Sequence, residues 1–369
     1  MNRLFSIVNV LGVLALIELS VACGQDSGSE ALSYVMDSTP AVYKMTDRMT
    51  LAETGLYQDF ATRAMSLTVQ RYGVRYPLYS DNMQKDRYIE FPVGTTVDAA
   101  RVDDWVYPVG TKIWKEFRAV QNGVPRIVET RFMEKTAAGW DFGVYVWSVD
   151  GTSAPRWDGQ TIANVVSVMV PGLGHDVTVG YNIPSQNACV TCHVQHTPNA
   201  IVRPEPVLGF SAFQLTQPAL NQLRTSGRLQ GLTVDWNAHR IPAANQLERD
   251  VAGYLHGNCS HCHNKRRTEF VSPDSYGPFS FGVNIGELRS RDELTVVKMI
   301  NRPVLNATVP LPTSGTRSIV VPGKPLESML YHRMAVAPGG RRMPVIGVAS
   351  RDQRFIDEKL SPWIAALTE

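Results

Sequence analysis

Cys189-Val190-Thr191-Cys192-His193 and Cys259-Ser260-His261-Cys262-His263 are two C-x-x-C-H runs in one chain of 369 residues. Two thiols three positions apart can each take one vinyl group of a haem, and the histidine that follows is placed to ligate the iron. The pattern therefore predicts two covalently bound haem c groups. Cys189, Cys192, Cys259 and Cys262 are the thioether positions, with His193 and His263 as axial iron ligands. Zinc or disulfides are the alternatives. A zinc ribbon usually brings its two cysteine pairs closer than the roughly 65 residues found here and does not need the histidine. A redox dithiol calls for a βαβ setting that the sequence does not offer.

The remaining cysteine, Cys23, lies at the end of an export-type leader over residues 1–22. Arg3 supplies the positive charge, Leu4 to Ile17 is apolar except for Ser6, Asn9 and Gly12, and Ser20-Val21-Ala22 are small. The run is short for a membrane span, and no later segment approaches about 18 apolar residues. Leu19-Ser20-Val21-Ala22-Cys23 is similar to a lipobox, with Ser20 where leucine is usual, so Cys23 is a lipidation candidate beside ordinary cleavage after Ala22. Either route places the protein outside a bacterial cytoplasm, in the periplasm or lipid-anchored to the outer membrane. Residues 23–40 are polar and small, as in a tether. A formal charge of +2, with 19% charged residues, argues against nucleic acid as a partner.

Residues 41–184 carry no haem motif and read as an all-β sandwich or barrel. Arg87 to Phe91, Lys112 to Phe117, Arg126 to Met133 and Trp140 to Val149 are rich in aromatic and β-branched residues, with glycine and proline turns between them. Phe91-Pro92-Val93-Gly94-Thr95 is echoed by Tyr107-Pro108-Val109-Gly110-Thr111, which predicts two equivalent corner turns. Asp81, Lys85 and Arg87 form one charged cluster, and Glu129 alternates with Arg131. Strand charges ordinarily mark a solvated face, so that is the expectation; a buried ion-pair network or a polar ligand site is the alternative.

Residues 185–245 hold the first motif and a short helix near Pro218 to Leu223, ended by Gly227. No methionine lies between His193 and Cys259. The sixth ligand of the first haem is left open among His196, His239, Met169, His175 and none.

Over 246–369 the sequence predicts an all-α class I cytochrome c-like region. Leu247, Val251, Tyr254 and Leu255 recur at helical spacing into Cys259, and Pro325 opens a helix bearing Met329. Ser350-Arg351-Asp352-Gln353 has the form of a capping box before a helix with Ile356, Leu360, Trp363, Ile364 and Leu367 on one face, which Pro362 can kink. Tyr254 to His263, Val321-Pro322-Gly323-Lys324-Pro325 and Arg342-Met343-Pro344 resemble a group of bacterial exported c-type cytochromes. Pro77-Leu78-Tyr79-Ser80-Asp81, Pro108 to Thr111 and Glu129-Thr130-Arg131 look like the β domain of its dihaem members. The resemblance implies that Met343, in a Met-Pro loop, supplies the distal thioether of the second haem, with Met299, Met329 and Met334 as competitors. Asn264-Lys265-Arg266-Arg267 departs from the pattern and reads as a solvated loop or a docking patch for an acidic partner.

His/Met ligation leaves no open position for a substrate and favours ferrous iron. The expectation is a dihaem electron carrier between redox proteins, touching a membrane only through an N-terminal lipid. Two alternatives remain: a dihaem peroxidase-like enzyme with a vacant first haem, and a β-domain binding module whose haems serve a dehydrogenase.

Overall fold

The computed structural model describes residues 42–121, 123–193, 205, 207–233, 241–264, 280–286, 288–304, 318–337, 342–344 and 347–368. Its strands are β1 (Val42–Met45), β2 (Tyr57–Asp59), β3 (Ala64–Met65), β4 (Gln70–Arg71), β5 (Gln84–Glu90), β6 (Val97–Asp98) and β7 (Lys112–Gln121). They continue as β8 (Val124–Thr136), β9 (Gly139–Val146), β10 (Arg156–Trp157), β11 (Ile162–Pro171), β12 (Asp176–Ile183) and β13 (Leu229–Gln230).

Seven of these form one open sheet, ordered β1-β9-β8-β7-β5-β4 with β10 also on β9. Only the β1–β9 pair is parallel within it. Side chains alternate across a strand, so each row of partners belongs to one face. Tyr88, Trp114, Phe132 and Tyr145 lie on one face, in a core with Leu51, Leu56, Tyr57 and Trp147. On the other face, Phe117 and Val144 meet Val166, Val168, Tyr181 and Ile183 of the β11–β12 hairpin. Further along that face Ile89, Ile113, Met133 and Phe142 join the main core, which includes Phe210, Leu220, Val251, Leu255, Met299, Ile356 and Trp363. That core draws on residues before 184, between 185 and 245, and beyond 246.

The two echoed turns are alike. Thr95 and Thr111 each donate both backbone N–H and Oγ1 to the carbonyl of Pro92 and Pro108 respectively. Gly94 and Gly110 take φ of +75° and +92° at the position of such a turn that favours glycine.

Two parts of the expected architecture are corrected. The β region is an open sheet with a hairpin over part of one face, not a closed barrel or a two-sheet sandwich; alternation of side chains is the same in all three. The all-α class I cytochrome c-like region over 246–369 is likewise overturned. The molecule is dominated by its sheet, and beyond residue 246 the described chain forms the 14-residue helix that ends at Cys259, several short turns and a C-terminal helical run over 353–366 whose middle is π-helical. Helix α1 is Gln186–His193, α2 is Gln217–Thr225 and α3 is Gln246–Cys259. After α3 come single turns at Thr295–Lys298 and Pro325–Glu327 and a helical stretch Met329–Tyr331 that continues as the π-helical His332–Val336, with β-bridges joining Ile300 to Val320 and Pro303 to Ser318. The chain ends in Gln353–Phe355, a π-helical turn Ile356–Leu360 and Ser361–Ala366. Periodicity identified amphipathic stretches but not what would cover them. Their apolar stripes share the sheet's core instead of building a separate helical one.

One local reading also changes. Ser350 does not cap the last helix: its Oγ and backbone N–H donate to Asp81, and Asp352 caps instead, accepting from the Phe355 N–H at 3.1 Å. Pro362 is accommodated just after the π-helical turn, since its missing N–H leaves no bond for the preceding turn to keep.

Candidate functional site

The first motif lies on α1, a helix of eight residues. Cys189 packs against the core beneath the β11–β12 hairpin, and the His193 ring meets Phe142 of β9 edge-on, with centroids 5.7 Å apart. Burial pushes the Cys189 thiol above the usual range, against the opposing pull of Arg131.

The second motif begins at the last residue of α3, and that helix is anchored at both ends. At its start the Asn245 side chain accepts the Glu248 N–H at 2.9 Å, and Glu248 makes a two-pronged pair with Arg291 at 2.7 Å. Near its end Asn258 accepts the Tyr79 N–H at 2.7 Å and donates to the carbonyls of Pro77 and Tyr254. Gly253 and Gly257 allow the close approach to the β region. A Cβ on Gly253 would stand 1.9 Å from the Tyr76 ring, and one on Gly257 would stand 2.4 Å from the Tyr76 carbonyl. The chain then turns tightly, with the Cys262 and His263 N–H groups donating to the Cys259 carbonyl at 3.1 and 2.7 Å. His263 meets Phe281 edge-on at 5.3 Å, and burial pushes the Cys259 thiol up to about 12.

One cavity of about 800 Å³, within the usual range of about 300–1,000 Å³ for small-molecule and cofactor sites, is bordered by both motifs, but of the second only Ser260 and His261 line it, while Cys259, Cys262 and His263 do not. Cys189, Cys192 and His193 line it from one side, and His256 and His261 from the other. The Cys192 and Cys262 sulfurs and a His261 ring nitrogen all lie within 4.8 Å of one another. None of the four described cysteines is in a disulfide. The His256 Nδ1 accepts the Val283 N–H at 2.9 Å, which puts the neutral ring's proton on Nε2.

Met343 is half-buried, its N–H donates to the Arg333 carbonyl at 2.9 Å, and its neighbour Pro344 lines the cavity. The competing Met299, Met329 and Met334 are buried in the main core. Met169 and His175 are exposed on the β11–β12 hairpin and do not line the cavity. Cys23, the leader, the tether, His196, His239 and residues 265–267 lie outside the described residues. Among the described residues no helix is long and apolar enough to cross a membrane.

The expectation of solvated strand charges fails. Glu129 is fully buried, paired with Arg131 at 2.8 Å and accepting the Tyr181 hydroxyl at 2.5 Å. Arg87 and Lys115 line the cavity together with Arg131. Burial, reinforced by Arg87 and Arg131, pushes Lys85 down to about 7. Sequence reading missed Lys115, which stands between Trp114 and Glu116 where alternation alone does not say which face is wet. Asp81, grouped with those cations in the sequence, instead accepts the Ala349 N–H, the Ser350 N–H and the Ser350 hydroxyl, each at 2.8 Å.

Comparison of the chain with protein-family models, with curated proteins and with solved structures gives no match.

Proposed function

We propose that this protein is an exported dihaem cytochrome c that passes single electrons between redox proteins. The observation that carries the reading is that two C-x-x-C-H runs, each at the end of a helix, meet beside one cavity walled by Ile113, Met133, Phe142, Val144 and Phe213, which Cys189, Cys192 and His193 line from the first run and Ser260 and His261 from the second. Cys189 and Cys192 would hold one group and Cys259 and Cys262 the other. His193 and His263 would be their axial ligands, and Met343 the second axial ligand at His263. Haem c, when bound, supplies a one-electron couple whose potential follows its ligands and its surroundings. The chain's part is to fix ligand orientation and to exclude water. Phe142 and Phe281 brace the two histidine rings, and Asp81 and Tyr79 fasten the segment that follows Met343-Pro344. Export is part of the proposal because haem c is attached outside the cytoplasm.

The test is production in a host that matures c-type cytochromes. The expected protein is red, carries two haems per chain by pyridine haemochrome assay, is wholly low-spin when ferric and ignores peroxide. Met343→Ala should abolish the near-infrared sulfur-to-iron band. A high-spin fraction that turns over peroxide would move the assignment to an enzyme.

The clustering of Cys192, His261 and Cys262 favours a second reading, a single thiolate- and imidazole-bound metal ion such as zinc. A colourless protein with stoichiometric zinc would establish it in place of the first.

A further inference from the structure

Arg87, Lys115 and Arg131 are direct cross-strand partners on β5, β7 and β8. Neighbouring strands stand about 4.8 Å apart, so three cationic side chains lie shoulder to shoulder on the cavity wall. Like charges directly opposite are unfavourable, and buried charges persist only when compensated. Glu129 compensates Arg131. For Lys115 and Arg87, no carboxylate among the described residues makes an ion pair or hydrogen bond; the Lys115 ammonium lies 4.9 Å from the Phe117 ring centroid and Arg87 donates to the Lys85 carbonyl at 3.4 Å. The acidic side chains on the cavity wall are engaged elsewhere: Asp103 accepts the Ile285 and Gly286 N–H groups at 2.9 and 2.8 Å, and Asp104 faces Arg101 at 3.9 Å. The wall thus sets three cations in a row against the one carboxylate of Glu129, which pairs with Arg131, the residue that also acts on the Cys189 thiol.

We propose that Lys115 and Arg87 form a carboxylate seat that takes the two propionate groups of the haem carried by Cys189 and Cys192. The inference rests on the haem reading and deepens it. A haem bears its two carboxylates on the edge away from its vinyl groups, so its anionic edge lies across the ring from the cysteines. The row provides that offset, because it runs from Arg131, near Cys189, across β7 to Arg87 on β5. Burial and the adjacent Arg87, Lys85 and Arg131 push the Lys115 ammonium well below the lysine range, the condition that a bound dianion relieves. Other groups facing the seat are Glu129 and Tyr181, which are already paired, and Tyr72, whose hydroxyl burial keeps neutral; Asp86 acts on Arg87 from the opposite face of the sheet, where it pairs with Arg71 and Arg118.

The test uses full-length protein from a cytochrome-maturing host, as wild type and as Lys115→Gln, Arg87→Gln and Lys115→Arg. Haem per chain is counted, and both potentials are followed by spectroelectrochemistry from about pH 5 to about pH 9. A Cys189→Ala/Cys192→Ala variant isolates the second haem, so the first is obtained by difference. The wild-type first haem should show a flat profile, because its carboxylates stay ionised. Each Gln variant should keep two haems, with a first-haem potential that falls as pH rises through the released propionate's titration; Lys115→Arg should restore flatness. Two haems with unchanged profiles in both Gln variants would overturn the seat and leave the haem reading standing. A wild type without haem would overturn both. Should the Gln variants not accumulate, the wild type decides: a flat first-haem profile supports the seat, and one already sloping between about pH 5 and 8 overturns it.

Discussion

The two C-x-x-C-H segments share their chemistry and differ in what supports them. The first stands on a helix of two turns laid against a charged sheet, where Arg131, Glu129 and Lys115 act on its leading thiol. The second ends a 14-residue helix capped by Asn245, tied by Asn258 to the Pro77–Tyr79 stretch and pressed against Tyr76 through two glycines. The five-residue motif therefore fixes neither its scaffold nor its electrostatics. In this fold one segment owes its position to shape, and the other has charge beside it.

The comparison can be broken most directly at Gly253. Gly253→Leu would drive a side chain into the Tyr76 ring, and a loss of about 3 kcal/mol or more is expected in urea unfolding. A loss below about 1 kcal/mol would show that the second segment does not depend on this contact. Asp81→Ala should cost about 2–3 kcal/mol, because two buried donors and one half-buried donor lose their acceptor, and hydrogen exchange should rise around residues 349 and 350. Unchanged exchange there would remove Asp81 from its anchoring role.

The charged side is sharpened by pH. Lys85 is held at about 7 in the folded chain against an ordinary value of 10.5, so between those values the unfolded chain binds more protons. Stability should therefore rise with pH from about 7 toward about 10, be lost as pH falls back through that window, and amount to about 1 kcal/mol once solvent access is allowed for. Lys85→Met should flatten the rise; persistence of the rise would assign it to another group. Asn245→Ala, which removes the cap at the far end of α3, should cost about 1 kcal/mol in thermal unfolding.

Local signals in the sequence carried much of the secondary structure. Aromatic and β-branched runs fall on β5, β7, β8 and β9, and helical spacing after Gln246 falls on α3. The paired Pro-Val-Gly-Thr turns were readable because a glycine with positive φ and a following threonine leave a direct mark. Partnership between distant segments left no such mark. Nothing in Asp81 announces Ser350, and nothing in Ile356 or Trp363 announces that its core extends to Ile113 and Phe142 on the sheet. The class I cytochrome expectation failed for that reason: an apolar stripe specifies burial without naming the partner. At the site, the thiols and histidines were visible from spacing alone. The cationic row was not, since it exists only once three strands are in register.

The Asp81 anchor has a consequence for the order in which the molecule is completed. Its partners lie 268 and 269 positions further along the chain. Contacts of such separation form late, and chains that depend on them fold slowly. A nascent chain long enough to contain both C-x-x-C-H segments still lacks the residues that lock residue 81 in place. The Asp81 anchor therefore closes only after the cavity-lining stretch that reaches Val348 has also been made.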